Sequence, residues 1–284
     1  MTGTKLLKRG RKALTYLLLV LLGFAMVYPL LWMLGSSFKQ NDEIFASLSL
    51  VPQKEWVWTA YRDGWNGIGN ATFSLFFANT FKLVIPTVIF TLVSSTMVAY
   101  GFARFRFPGK KLLFTCMIAT LMLPNAVIMI PKYILFRNLG WLDSYKPFII
   151  PSIFASSAFL VFMLLQFFRG LPRELDESAR IDGCGSMRVL VQILVPLCKP
   201  ALFSAGLFQF IWTWNDFFNV LVYINSVPKY TLALSLRMTL DTQGDVAWNE
   251  IMAMSVVSIL PCVVLFFSAQ KYFVEGIATT GMKG

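Results

Sequence analysis

The sequence predicts an all-α membrane protein with six transmembrane helices, and three observations carry that expectation. Of 284 residues, 57% are hydrophobic and only 14% charged, against roughly 25% charged in an average soluble domain. The mean hydropathy is +0.65, so too few polar residues remain to cover a soluble core. The apolar residues also fall in charge-free stretches of the length a bilayer demands, about 20 residues for roughly 30 Å of hydrocarbon. Intrinsic disorder is excluded by 27 Phe, 8 Trp and 9 Tyr, too apolar a set to stay solvated.

Each span has its own justification. The first, residues 13–38, follows Lys5, Lys8, Arg9, Arg11 and Lys12. It is longer than the apolar region of a signal peptide, about 7–15 residues, and so reads as an uncleaved anchor. Residues 83–103, 112–131, 147–168 and 251–270 are free of charge, while 200–224 holds one carboxylate, Asp216. Pro29, Pro86, Pro124, Pro151 and Pro261 lie within these stretches. In a membrane helix a proline gives curvature or a hinge, because neighbours can satisfy the freed carbonyl.

Orientation follows from the loops. With the N-terminus inside, residues 1–12, 104–111, 169–199 and 271–284 are cytoplasmic and hold 16 Lys and Arg; the opposite loops, 39–82, 132–146 and 226–250, hold 9. An excess of basic residues marks the cytoplasmic side, so both termini are expected in the cytoplasm. The net charge of +11 is then a topology signal, and no nucleic acid partner is inferred.

Several chemistries are absent. There is no His, which removes imidazole metal sites, Ser-His or Cys-His nucleophiles and His proton relays. Cys116, Cys184, Cys198 and Cys262 show no CxxC spacing and predict neither a metal site nor a disulfide framework. Near Gly109-Lys110, Arg104 stands where a phosphate loop needs glycine, and Lys111 where it needs Ser or Thr. The chain is therefore not itself an ATPase.

The long cytoplasmic loop, 169–199, reads as helix–turn–helix. Pro172 suits a first helical turn, and Glu174, Asp176 and Glu177 meet its positive dipole end. Gly183 and Gly185 can take the left-handed conformation that stops a helix, and Ser186 can cap a second one running to about Pro196. Such a knob suits a groove on another protein, with Leu175, Ala179 and Ile181 as apolar contacts and Glu177 and Arg180 as charges. An amphipathic segment resting on the bilayer is the alternative. Asp216, beside Trp214 and Asn215, is either a proton or substrate site or a structural partner for neighbouring polar groups.

Glu177-Ser178-Ala179, three residues, Gly183, nine residues, then Ile193-Leu194-Val195-Pro196 resembles the "EAA" loop of permease subunits in ABC importers. Ser178 departs from the first alanine of that pattern and Val195 from its leucine. Residues 99–110, 175–183, Trp214-Asn215-Asp216-Phe217 and 270–284 are similar to the maltose-type carbohydrate permeases, so the resemblance covers nearly the whole chain. It implies a type I importer fold, with residues 1–72 as N-terminus, first helix and extracytoplasmic segment, 73–270 as a five-helix core, and 271–284 as a cytoplasmic tail. It implies a plasma-membrane sugar permease with a second permease subunit, two ATP-binding subunits and an extracytoplasmic sugar-binding protein as partners. Cofactors would be none on this chain, with ATP and Mg on the partner ATPase. Glu177, Ser178, Ala179, Gly183, Ile193 and Pro196 would belong to the ATPase-coupling loop, and the tail would also contact the ATPases. A permease for a non-sugar solute shares the loop. An ion-coupled secondary transporter would want more ionisable residues within the spans.

Overall fold

The computed structural model describes the backbone of residues 3–240 and 246–281, and the side chains of 10–240 and 246–270. Among the described residues the chain is built of helices. In order they are α1 (Gly3–Ser36), α2 (Asn41–Ile44), α3 (Thr59–Gly64), α4 (Phe73–Arg104), α5 (Lys110–Leu121) and α6 (Asn125–Asn138). Then follow α7 (Lys146–Ser152), α8 (Ala158–Gly170), α9 (Glu174–Ile181), α10 (Ser186–Val189), α11 (Val195–Leu197) and α12 (Lys199–Trp214). The last are α13 (Phe218–Tyr223), α14 (Leu232–Leu240) and α15 (Trp248–Gly281).

Among the described residues three helices are long and apolar enough to cross a bilayer unbroken: Gly10–Ser36, Phe73–Arg104 and Trp248–Gln270. Two more candidates are bent pairs, Lys110–Leu121 with Asn125–Asn138 at 105° and Ser186–Leu197 with Lys199–Trp214 at 82°. Ala158–Gly170 is apolar but shorter. Pro29, Pro86 and Pro261 are absorbed inside continuous helices.

Three expected spans are interrupted rather than continuous. Between 112 and 131 the chain breaks at Pro124, whose backbone is extended (φ −61°, ψ 135°) and which has no N–H to carry the helix on. Between 147 and 168 it breaks after Ser152, and Ala155 takes a left-handed φ of 51°. The carbonyl freed at Ser152 is met by the buried Ser94 hydroxyl of α4, which donates to it at 2.7 Å, so that acceptor keeps a partner across the break. Between 200 and 224 the helix stops at Trp214 and resumes at Phe218.

The chain divides into two compact units, Met1–Phe73 with Met238–Ile259, and Ser74–Arg237 with Leu260–Gly284. In the first, the fully buried Lys39 is anchored by loop carbonyls, donating to Ser49 O at 2.6 Å and lying 5.9 Å over the Trp32 ring. Phe38 gathers Trp56, Trp58 and Tyr61, and Phe45 meets Trp248 edge-on at 5.0 Å. The loop can close on α1 only because residue 35 is glycine: a Cβ there would stand 1.9 Å from Leu50 O. Gly35→Ala must therefore push residues 47–51 away and loosen the Lys39 anchor, at a cost of about 1–3 kcal/mol. The expected result is a lower melting temperature in detergent and faster proteolysis within 47–51; wild-type values for both would contradict it.

The second unit holds the larger core. The stripe Leu160, Val161, Leu164, Leu165 and Phe168 of α8 packs with Ala99, Tyr100, Phe102 and Ala103 of α4 and with Ala201 and Ala205 of α12. Their recurrence every three to four residues is the helical period of a buried face. Ala179, Val189, Leu190 and Leu194 join the same cluster, so the 169–199 loop is built into the core.

Candidate functional site

The helix–turn–helix of residues 174–197 is the first part of the site. Glu174, Asp176 and Glu177 occupy the first turn of α9, where carboxylates meet the positive end of the dipole. The helix ends on Gly183, which takes φ +80°. Gly183 N–H donates to Arg180 O at 3.0 Å and Cys184 N–H to Ala179 O at 2.9 Å. That paired pattern is the Schellman stop, and only glycine enters it without steric cost.

The two faces of α9 differ. Glu174, Glu177, Ser178 and Arg180 are exposed, and Ile181 is 86% exposed, a large apolar side chain left in the open. Asp176 and Ala179 are turned inward, 7% and 4% exposed. Ala179, expected to meet a partner, is thus spent on the chain's own core. Asp176 Oδ2 lies 2.9 Å from Nε of Arg104, the last residue of α4. Arg104 Nη2 also donates to Leu171 O at 3.1 Å. Removing one partner of such a buried pair costs roughly 3–5 kcal/mol, because the other charge is left without compensation.

The second helix departs in detail from expectation. Gly185 is extended (φ −70°, ψ 159°) and itself precedes the helix; Ser186 is its first residue, with no side-chain cap. Tyr100 Oη donates instead to Ser186 O, at 3.1 Å. Residues Leu190–Leu194 form a π turn between α10 and α11. The proline two residues later explains it, since Pro196 has no N–H and its ring crowds the carbonyl four residues back, which a widened turn relieves. Ile193 packs on the core cluster and Pro196 stays exposed.

The second part is a cavity of about 1090 Å³ in the same unit, walled by α4 through α8 and by α12 and α13. Its polar lining is mostly uncharged: Thr87, Thr91, Thr120, Ser156, Ser157, Asn125, Gln209 and Asn219. Aromatic rings interleave, including Phe159 and Trp212, whose centroids lie 5.4 Å apart with both rings exposed. Lys132 and Asp216 are the charged residues of the lining. The Asn219 backbone N–H donates to Asp216 Oδ1 at 3.1 Å, and its amide donates to Oδ1 and Oδ2 at 3.0 and 2.9 Å. Accepting from the third residue on is how a carboxylate caps a helix, here α13. Asn215 donates to Ile211 O at 2.9 Å, and Trp214 is buried, stacked on Phe210 and edge-on to Phe81.

The sequence that builds these two parts, a core-bound elbow and a polar cavity among apolar helices, matches a known family. The family described as "Binding-protein-dependent transport system inner membrane component" matches residues 95–279. The chain belongs to that family. The permease is 34% identical over 276 residues, 96% of each chain, to the arabinooligosaccharides transport system permease protein AraQ of Bacillus subtilis (strain 168). It is 30% identical over 275 residues, 95% of this chain and 97% of the relative, to the sn-glycerol-3-phosphate transport system permease protein UgpE of Yersinia pestis bv. Antiqua (strain Antiqua). Its fold is similar to a chain in the crystal structure of a bacterial ABC transporter involved in the import of the acidic polysaccharide alginate. There the TM-score is 0.82 at 23% identity, covering 93% of this chain and 97% of that one.

Residues that sequence reasoning passed over complete the site. From the sequence Asp176 reads as one of three carboxylates at a helix dipole and Arg104 as a residue of the 104–111 loop; the fold pairs them. Asp143, left-handed at φ 55°, accepts from Asn225 N–H, Ser226 N–H, Ser226 Oγ and Lys229 Nζ. Its own N–H donates to the carbonyl of Tyr223, a cavity residue, at 2.7 Å. The Lys229 ammonium, above all, holds the Asp143 carboxyl well below its ordinary 3.8. Burial, helped by that carboxylate, pushes the neighbouring Tyr145 phenol up to about 12. A depressed carboxyl contributes stability fully present above its unfolded value and lost as pH falls through the folded one. Asp143→Asn should accordingly cost about 1–2 kcal/mol near neutral pH, read as a lower melting temperature. The gap to wild type should stay constant down to about pH 5 and narrow only below about pH 4; a gap independent of pH would contradict the clamp. Among the described residues no group of three or more His, Cys, Asp or Glu could hold a metal ion, and the four cysteines are free.

Proposed function

We propose that the permease serves an ATP-driven importer of a sugar or oligosaccharide in the plasma membrane, working beside a second permease subunit, two ATP-binding subunits and an extracytoplasmic binding protein. ATP and Mg belong to the ATP-binding subunits; this chain binds neither and catalyses nothing. The observation that carries the reading is the asymmetry of α9. One face is bound into the membrane core through Asp176 and Ala179, while Glu177 and Ile181 stand free on the other. A helix held on one side and bare on the other receives force from a partner and hands it to its own core. Glu177, Ser178 and Gly183 form the docking elbow with Ile193 and Pro196 behind it, and Ala179 seats it.

Loop charges support an elbow and both termini in the cytoplasm, with six crossings of the bilayer, the interrupted helices pairing to make the remainder. Residues 1–72 then carry the first crossing, 73–270 the five-helix core, and 271–284 a cytoplasmic tail, whose side chains lie outside the described residues. A saccharide is favoured over a phosphate ester by the cavity. Its hydroxyl, amide and aromatic lining suits a neutral polyol that stacks on rings, whereas a phosphate dianion calls for clustered cations and Lys132 alone lines the described wall.

The test is co-purification of the tagged chain in mild detergent with its companions identified by mass spectrometry, followed by uptake of labelled arabinotriose and of labelled glycerol 3-phosphate into reconstituted vesicles. A second permease and a Walker-motif ATPase, with uptake of arabinotriose over glycerol 3-phosphate, are the expected result. A chain that purifies and transports alone would overturn the ATP-driven reading. Uptake of glycerol 3-phosphate instead would overturn the sugar assignment.

A further inference from the structure

A helix that receives force moves the membrane core only if something stiff joins the two. The loop segments flanking α9 are tied to α4 through single carbonyls, Leu171 O accepting from Arg104 Nη2 and Ser186 O from Tyr100 Oη, each at 3.1 Å, and their dihedrals can still rotate to absorb displacement. The apolar contact of Ala179 is non-directional and slides. What grips is Asp176, whose Oδ2 lies 2.9 Å from Arg104 Nε with both side chains at most 10% exposed. The two form a close ion pair buried on both sides, and parting them would leave each charge without compensation.

Arg104 is the last residue of α4. Thirteen residues back along the same helix, roughly 20 Å at 1.5 Å per residue, Thr91 lines the cavity, and Thr87 follows one turn further. One unbroken helix thus runs from the inner face of α9 to the cavity wall. Stability alone is a poor reason for the pair, because desolvating two charges offsets most of what their attraction returns.

We propose that Arg104 and Asp176 are a positioning pair that transmits displacement of α9 along α4 to the cavity, an inference that rests on reading α9 as the face that meets an ATPase. The pair touches neither solute nor nucleotide. It converts movement of a surface helix into movement of Thr87 and Thr91, and without it the ATPase turns over while the cavity stays still.

The test uses the whole complex purified on the tagged chain. A reporter, Ser156→Cys at the cavity wall, is placed in a background with the four native cysteines replaced by alanine. The readout is the rate of maleimide labelling with and without Mg-ATP and vanadate, beside the ATPase rate of the same sample. With the pair intact, the labelling rate should change by about fivefold or more, the low end of ordinary coupling between sites. Asp176→Asn, and the double variant Arg104→Met with Asp176→Leu, should still carry the ATPase and hydrolyse ATP, with a labelling change under about twofold. The double variant separates transmission from folding, since it leaves no orphan charge; a merely structural pair would regain its response there. A double variant that responds like the intact pair, or that no longer carries the ATPase, would overturn the proposal. An intact chain that purifies without an ATPase would instead fail the reading beneath it.

Discussion

Glu177→Lys should insert in the membrane and keep its fold, yet lose ATP-driven uptake by about tenfold or more. The side chain stands on the exposed face of α9, where no intramolecular bond depends on it. The change turns attraction into repulsion at the proposed docking face, and disrupting an interfacial charge pair costs about 2–5 kcal/mol, at 1.4 kcal/mol per tenfold. Reversing the sign in the first turn also opposes the helix dipole, by about 0.3–1 kcal/mol, so α9 itself is little threatened. Glu177→Gln separates the two contributions, since it removes attraction without adding repulsion and should fall between wild type and lysine. The measurement is ATPase recovered with the tagged chain, then uptake in vesicles. Wild-type recovery and uptake by Glu177→Lys would remove the docking role of this face.

What the sequence disclosed follows the range of each signal. A charge-free stretch is a property of 20 neighbouring residues, so the apolar segments were legible. The stop at Gly183 was legible too, because a left-handed glycine after an acidic-start helix is a local pattern. Where those segments break was only half legible. Pro124 was visible, but a proline bends one helix by 105° and passes unnoticed through another, as Pro86 does, according to what neighbours offer the freed carbonyl. Ser94, 58 residues from the carbonyl it satisfies, carries no mark of that task. The Arg104–Asp176 pair was out of reach for the same reason. From the sequence Asp176 reads as a carboxylate at the positive end of a helix dipole, a role that calls for no cation. Leu175, Ala179 and Ile181 read together as contacts for a partner; the fold leaves Ile181 exposed and buries Ala179, because alanine suits either face.

Asp216 sets the second large effect, and the direction of its response decides between two energy sources. In the structure its carboxylate accepts three bonds from Asn219 and caps α13 on the cavity wall. Asp216→Ala leaves a backbone N–H and an amide without their acceptor, and losing a cap of this kind costs about 1–2 kcal/mol. Asp216→Asn keeps one oxygen for the backbone N–H of residue 219 and should cost less. In vesicles energised with ATP alone, Asp216→Asn is therefore expected to retain uptake within about twofold, and Asp216→Ala to lose up to about tenfold together with thermal stability. A proton-coupled carrier behaves in the opposite way. Its carboxylate must gain and lose a proton in each cycle, so the isosteric amide would abolish transport while leaving the fold intact, and a protonophore would stop uptake by the wild type. Equal stability of Asp216→Asn and wild type, with transport lost in the amide variant alone, would move the carboxylate from scaffold to carrier. It would take the energy source away from the ATPase and give it to an ion gradient.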